Sequence, residues 1–194
     1  MSTNFDASSR VISAIYDTAL APDSWPEALR QVTQALGAVG AAYILTNKWS
    51  GRVEWASFSG PSVEFKPDYV KHYVALDPFL PLIHSAPSGS WIRLSESLSS
   101  VVRRRDEWYN DFIRKCGVDD ILGAPLLEDE SHRAIIEIHY GIYQTRPKSA
   151  PAALLKQLSP PLSQAARLQI ELGNRLSRGD DSCWRSGKSC SRGT

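Results

Sequence analysis

Cysteine is scarce and odd in number: Cys116, Cys183 and Cys190 are the three in 194 residues. Such a set, with one member in a helical pattern, offers no disulfide framework and points to a reducing cytoplasm. A surplus of charge is missing too, since 22 Lys and Arg face 21 Asp and Glu. At a formal charge of +1 the chain sets up no field that would draw nucleic acid or an anionic membrane from a distance. No apolar run approaches the roughly 20 residues of a membrane span, and MSTNFDASSR lacks the basic start and apolar stretch of a signal peptide. Histidine is thin and scattered, at His72, His84, His132 and His139, with no G-x-S-x-G elbow, glycine-rich phosphate loop or H-E-x-x-H pair. Catalysis has no visible apparatus, and neither a cofactor nor a metal is expected.

What is present is a well-punctuated series of elements. In SSRVISAIYDTALAP, Val11, Ile12, Ile15, Ala19 and Leu20 recur at helical spacing after candidate caps Ser8 and Ser9. In DSWPEALRQVTQALG, Ser24 and Glu27 have capping-box spacing, Trp25, Leu29, Val32 and Leu36 share one face, and Gly37 closes the helix. Two β-rich runs, 41–47 and 52–58, flank Asn47, Ser50 and Gly51 and predict a hairpin. KPDYVKHYVAL predicts a short helix with Pro67 in its first turn, ending at Asp77-Pro78. The breakers from Pro78 to Ser90 predict a loop, and WIRL a short strand.

SVVRRRDEWYNDFIRKCG reads as one helix capped by Ser100, with Val101, Trp108, Phe112 and Cys116 inward and Arg103, Arg104 and Arg105 in water. Because Asp106, Glu107 and Asp111 follow at once, the three arginines make a solvated face rather than a phosphate site. The long pattern ILGAPLLEDESHRAIIEIHYGIY gives two strands around an acidic turn. In the second, Ala134, Ile136, Ile138 and Tyr140 form a core face, whereas Ile135, Glu137 and His139 form a mixed one. Glu137 and His139 share a side as two metal ligands would, yet no third ligand is indicated, so a solvated or hydrogen-bonded face is the reading.

Leu155, Leu158, Leu162, Ala165, Gln169, Leu172 and Leu176 then repeat at gaps of three and four, the spacing of a coiled coil. Pro160 and Pro161 argue for a break, with Ser159 capping a second helix. From Arg178 the aliphatic residues thin out, and residues 178–194 read as a disordered tail in which Arg178-Gly179-Asp180 is a chance match to an adhesion motif.

The order of elements predicts an α+β domain, one antiparallel β-sheet flanked by helices, PAS/GAF-like, with a C-terminal coiled-coil-like helix. Residues 1–148 would be the sensory domain and 149–177 the dimerisation or signalling helices. AIYDTALAPDSWPEALRQVTQALGA, YVKHYVALDPF, DEWYNDFIRKCGV and LSPPLSQAARLQIEL, in that order, resemble the N-terminal sensory region of LuxR-type bacterial transcription regulators. The resemblance runs over about residues 10 to 176.

It implies a cytoplasmic module that senses a small-molecule signal and pairs with its own copy or with another regulator. No helix-turn-helix pattern follows Arg178, so direct DNA binding by this chain is not expected. In the acyl-homoserine-lactone-binding members of this group an Asp-Pro follows an aromatic-rich segment, the Asp accepts a ligand N–H, and Tyr and Trp wall the pocket. The resemblance thereby implies Tyr69, Tyr73, Asp77 and Trp91 as ligand-binding residues. The alternative for the pocket is an ordinary turn at Asp77 among core aromatics; for the module it is a ligand-free interaction domain acting on a full-length regulator.

Overall fold

The computed structural model describes residues 2–142 and 151–185, with side chains from 8 to 142, apart from 62, and from 152 to 173. Helix α1 (Ser2–Leu20) starts earlier than expected, so Ser8 and Ser9 lie inside it rather than at its cap. Helix α2 (Trp25–Ala35) forms without the expected capping box. Ser24 Oγ donates to the Ala21 carbonyl, and Glu27 is taken by Arg30 and Gln31. Its end follows the sequence: Gly37, at φ +60°, lets Gly37 N–H and Ala38 N–H turn back onto the Gln34 and Thr33 carbonyls.

Strands β1 (Gly40–Asn47) and β2 (Val53–Ser59) form the first hairpin, with Gly51 at φ +66° in its turn. Helix α3 (Lys66–Lys71) runs into a short 3₁₀ turn, Tyr73–Ala75. Beyond Asp77 the expected loop contains a helix, α4 (Leu80–Ser85), with Pro81 in the first turn where its missing N–H costs nothing. Strand β3 (Ile92–Arg93) and helix α5 (Leu94–Ser97) come next.

The next predicted helix divides. Helix α6 (Ser100–Arg105) is capped by Ser99 rather than Ser100, Val101 is exposed, and after Asp106 a π-helical turn over Trp108–Ile113 carries the buried aromatics. Strands β4 (Val118–Glu128) and β5 (His132–Gly141) form the second hairpin. The five strands are ordered β2-β1-β5-β4-β3, and every pairing is antiparallel.

Helix α7 (Pro151–Arg185) is continuous through Pro160 and Pro161, contrary to the expected break. The two carbonyls deprived of donors belong to Lys156 and Gln157, which are exposed and can turn to water. Leu158 and Leu162 on either side are fully buried and anchor this stretch of the helix in the core. The backbone stays helical to Arg185, eight residues into the expected tail, and the rest of that tail lies outside the described residues.

Both faces of the sheet are covered. On one, α1, α2 and α7 bury Tyr43, Leu45, Leu122, Leu126, Ile136 and Ile138. On the other, α3, α4, α5 and the π-helical turn bury Ala42, Ile44, Phe58, Ile121 and Ile135. The coiled-coil spacing therefore has an intramolecular cause. Leu155, Leu158, Leu162 and Ala165 are buried in the first core, and Gln169 Oε1 accepts the Trp25 indole N–H at 2.9 Å. That stretch is not an inter-chain seam; among the seam residues with described side chains, Leu172 alone stands open.

Candidate functional site

Asp77 sits where the second layer begins. Its oxygen Oδ1 accepts the backbone N–H groups of Phe79 at 2.9 Å and Leu80 at 3.1 Å. Oδ2 accepts the Tyr69 hydroxyl at 3.1 Å. Because Pro78 forces Asp77 out of helical geometry, its carboxylate is left aimed at the first turn of α4, whose donors have no partner within the helix. An ionised carboxylate offers about four acceptor sites. Three are occupied within the chain, which leaves one.

The surroundings are aromatic. Tyr69 and Tyr73 both stack on Phe112, with ring centroids 5.6 and 4.8 Å apart and interplanar angles of 29° and 26°. Phe65 meets Phe112 edge-on at 6.4 Å, and Phe58 meets Tyr69 edge-on at 6.0 Å. Burial, then the nearby Glu137 charge, pushes the Asp77 carboxyl well above the usual carboxylate range, against the pull of its hydrogen bonds. Burial likewise pushes the Tyr69 phenol up.

No family model and no curated protein matches the sequence. Solved structures do. The LBD domain of VqsR from Pseudomonas aeruginosa is 16% identical with a TM-score of 0.62, over 88% of this chain and 98% of that one. CepR2 from Burkholderia cenocepacia, an N-acylhomoserine lactone dependent LuxR family transcription factor, is 16% identical with a TM-score of 0.64, over 89% of this chain and 99% of that one. A GAF domain of a sensor histidine kinase from Pseudomonas syringae is 13% identical with a TM-score of 0.52, over 91% and 96%. The chain has the fold of a LuxR-type ligand-binding domain.

Within this LuxR-type fold the four expected site residues do not all meet. Tyr69, Tyr73 and Asp77 gather on the second face of the sheet. Trp91 lies on the opposite side, packed against the core of α1, α2 and α7, and its indole N–H donates to Ser159 Oγ at 2.9 Å. Strand alternation is the reason: Ile92 turns toward the Asp77 face, which sends Trp91 the other way.

Two residues on the Asp77 face were not expected there. Glu137 of β5 is 4% exposed, and its Oε1 has no hydrogen-bond partner among the described residues. Trp108 Nε1 is buried in the same condition. The signal for Glu137 was the acid between Ile135 and His139 on one strand face; the second helical layer converts that face from wet to buried. Among the described residues no three His, Cys, Asp or Glu groups come together to hold a metal ion, and none of the helices is long and apolar enough to cross a membrane.

The raised Asp77 pKa has a testable sign. An acid whose folded pKa exceeds its unfolded value near 3.9 keeps its proton in the folded chain after the unfolded chain has lost it. Its stabilising contribution is complete below that unfolded value and fades as pH rises through the folded one. Asp77→Asn keeps an acceptor for Phe79 and Leu80 but cannot ionise. Urea unfolding from pH 4 upward should therefore show the variant gaining on wild type as pH increases. Parallel curves would mean Asp77 titrates normally.

Proposed function

We propose that this chain is the signal-sensing module of a LuxR-type transcription regulator, binding a small molecule on the Asp77 face of its sheet. The observation that carries the reading is the Asp77 carboxyl: buried, fixed by two backbone N–H groups and a tyrosine hydroxyl, and with one acceptor site to spare in its ionised form. Tyr69 orients that carboxylate, and Tyr73 and Phe112 supply a flat apolar wall. Trp91 acts at a distance by fastening β3 to α7. The module works in pairs, with its own copy or with another regulator. The exposed Leu172 side of α7 is the surface for such pairing.

CepR2 is described as dependent on N-acylhomoserine lactone, so lactones come first in a thermal-shift screen, followed by aromatic acids. A binder of the folded state raises the melting temperature by mass action. Asp77→Asn should weaken that binder by about 1.5 to 3 kcal/mol, the range for a hydrogen bond to a charged group. Identical responses of wild type and Asp77→Asn to every stabilising compound would remove Asp77 from the site. A monomer in sedimentation at micromolar concentration, with and without ligand, would remove the self-pairing.

A further inference from the structure

Glu137 is buried with one oxygen, Oε1, that none of the described residues bonds. It lies on β5 with Ala42 as its cross-strand partner on β1 and Gly123 as its partner on β4, so the position directly opposite on either strand has no polar side chain to bond it. The space above Gly123 is filled from the other layer, by Ile83 and Phe79 of the segment that Asp77 caps. Asp77 and Glu137 are thus brought to one place by the same packing, and the Glu137 charge acts on both Asp77 and Tyr69. The basic group beside Glu137 is the His139 imidazole, whose Nε2 is 3.6 Å from the other Glu137 oxygen.

Leaving a buried acceptor without a donor is costly, and more so for a charged group than for a neutral one. The Glu137 charge also disfavours the ionised form of the buried Asp77. What relieves both costs is a cation with several N–H donors, able to serve Glu137 Oε1 and the open acceptor site of Asp77 together. A carbonyl or ether oxygen placed against Glu137 would meet an acceptor and be rejected.

We propose that Glu137 is a second ligand anchor beside Asp77 and that the ligand of this site carries a cationic nitrogen, such as a primary ammonium group. This rests on the reading of the Asp77 face as a binding site and narrows the class of molecule it takes. Asp77 receives an amide or ammonium N–H, Glu137 receives the ammonium, and Tyr73 and Phe112 lie against the apolar part.

The test uses the full chain and two matched probes: the octanoyl amide of ethylenediamine, which ends in an ammonium, and the octanoyl amide of ethanolamine, which ends in a hydroxyl. In calorimetric titration, wild type should bind the ammonium probe about tenfold or more tighter, the scale of one charge-assisted hydrogen bond over a neutral one. Glu137→Gln should abolish that preference by weakening the ammonium probe far more than the hydroxyl probe, and should melt no lower than wild type without ligand. Asp77→Asn should weaken both probes. Equal affinities in wild type, or a preference that survives Glu137→Gln, would overturn the Glu137 assignment; if Asp77→Asn still weakened both probes, the Asp77 site itself would stand. Binding of neither probe would also overturn it, while the lactone and aromatic-acid screen decides the sensing role separately. The wild-type comparison needs no variant to fold.

Discussion

Trp25→Ala should lower the unfolding free energy by about 3–5 kcal/mol, as large-to-small changes of buried tryptophan do. Trp25 is completely buried and lies flat on Tyr43, with centroids 3.9 Å apart and planes 6° from parallel. Its indole N–H reaches Gln169 on α7, so one side chain joins α2, the inner strand β1 and the C-terminal helix. Alanine would open a cavity under all three and leave the buried Gln169 amide without its donor. Urea denaturation reads the loss, and Trp25→Phe should recover part of it by restoring the stack without the hydrogen bond. A loss below about 1 kcal/mol would mean that α7 closes the cavity by moving, and that the Trp25 contact does not hold it.

The same contact explains where sequence reasoning stopped. Gln169 breaks an otherwise apolar repeat, and from spacing alone it reads as the polar position of a coiled coil. Its partner is 144 residues away in sequence, beyond the reach of any local pattern. Spacing of three and four reports that a helix has one buried stripe, not which surface buries it, and here a sheet does so as well as a second helix would. The local signals fared according to how local their causes were. Gly37 ends its helix with positive φ, as its position suggested. Ser24 and Glu27 have capping-box spacing but are drawn to Ala21, Arg30 and Gln31 instead.

For the site, the Asp-Pro pair was legible because its chemistry is contained in a few residues: Pro78 sets the backbone of Asp77, and Asp77 caps the first turn of α4. That helix was hidden by Pro81 and Pro87, which as composition signal a loop and as geometry sit in the first turn and just past the end. Glu137 was the harder case. Alternation on β5 separates two faces but does not say that both are dry, and that depends on α3, α4 and the π-helical turn folding over from elsewhere in the chain. Trp91 failed by parity, one residue from the face on which it was expected.

Gly123 is where that fold-over is most exposed to damage. A Cβ built there would lie 2.5 Å from Ile83 Cδ1, 2.8 Å from Ile83 Cγ1 and 3.1 Å from Phe79 Cε1. Valine suits a strand, so Gly123→Val tests packing between layers and little else. With Ile83 and Phe79 both fully buried, the Ile83 side chain must be forced aside or α4 must shift, at a cost of about 3 kcal/mol, the upper part of the overpacking range. The effect on binding should exceed the effect on stability, because the Phe79 and Leu80 N–H groups at the start of α4 hold the Asp77 carboxylate in place. Any compound that stabilises wild type should therefore lose most of its thermal shift in Gly123→Val, under conditions where circular dichroism still shows a folded chain. Ile83→Ala in the same molecule removes the two atoms in closest conflict. The double variant should be more stable than the two single losses added together, a coupling of the size neighbouring residues show. Gly123→Val as stable as wild type, or additive with Ile83→Ala, would mean that α4 does not rest on Gly123 and that the Asp77 carboxylate is positioned some other way.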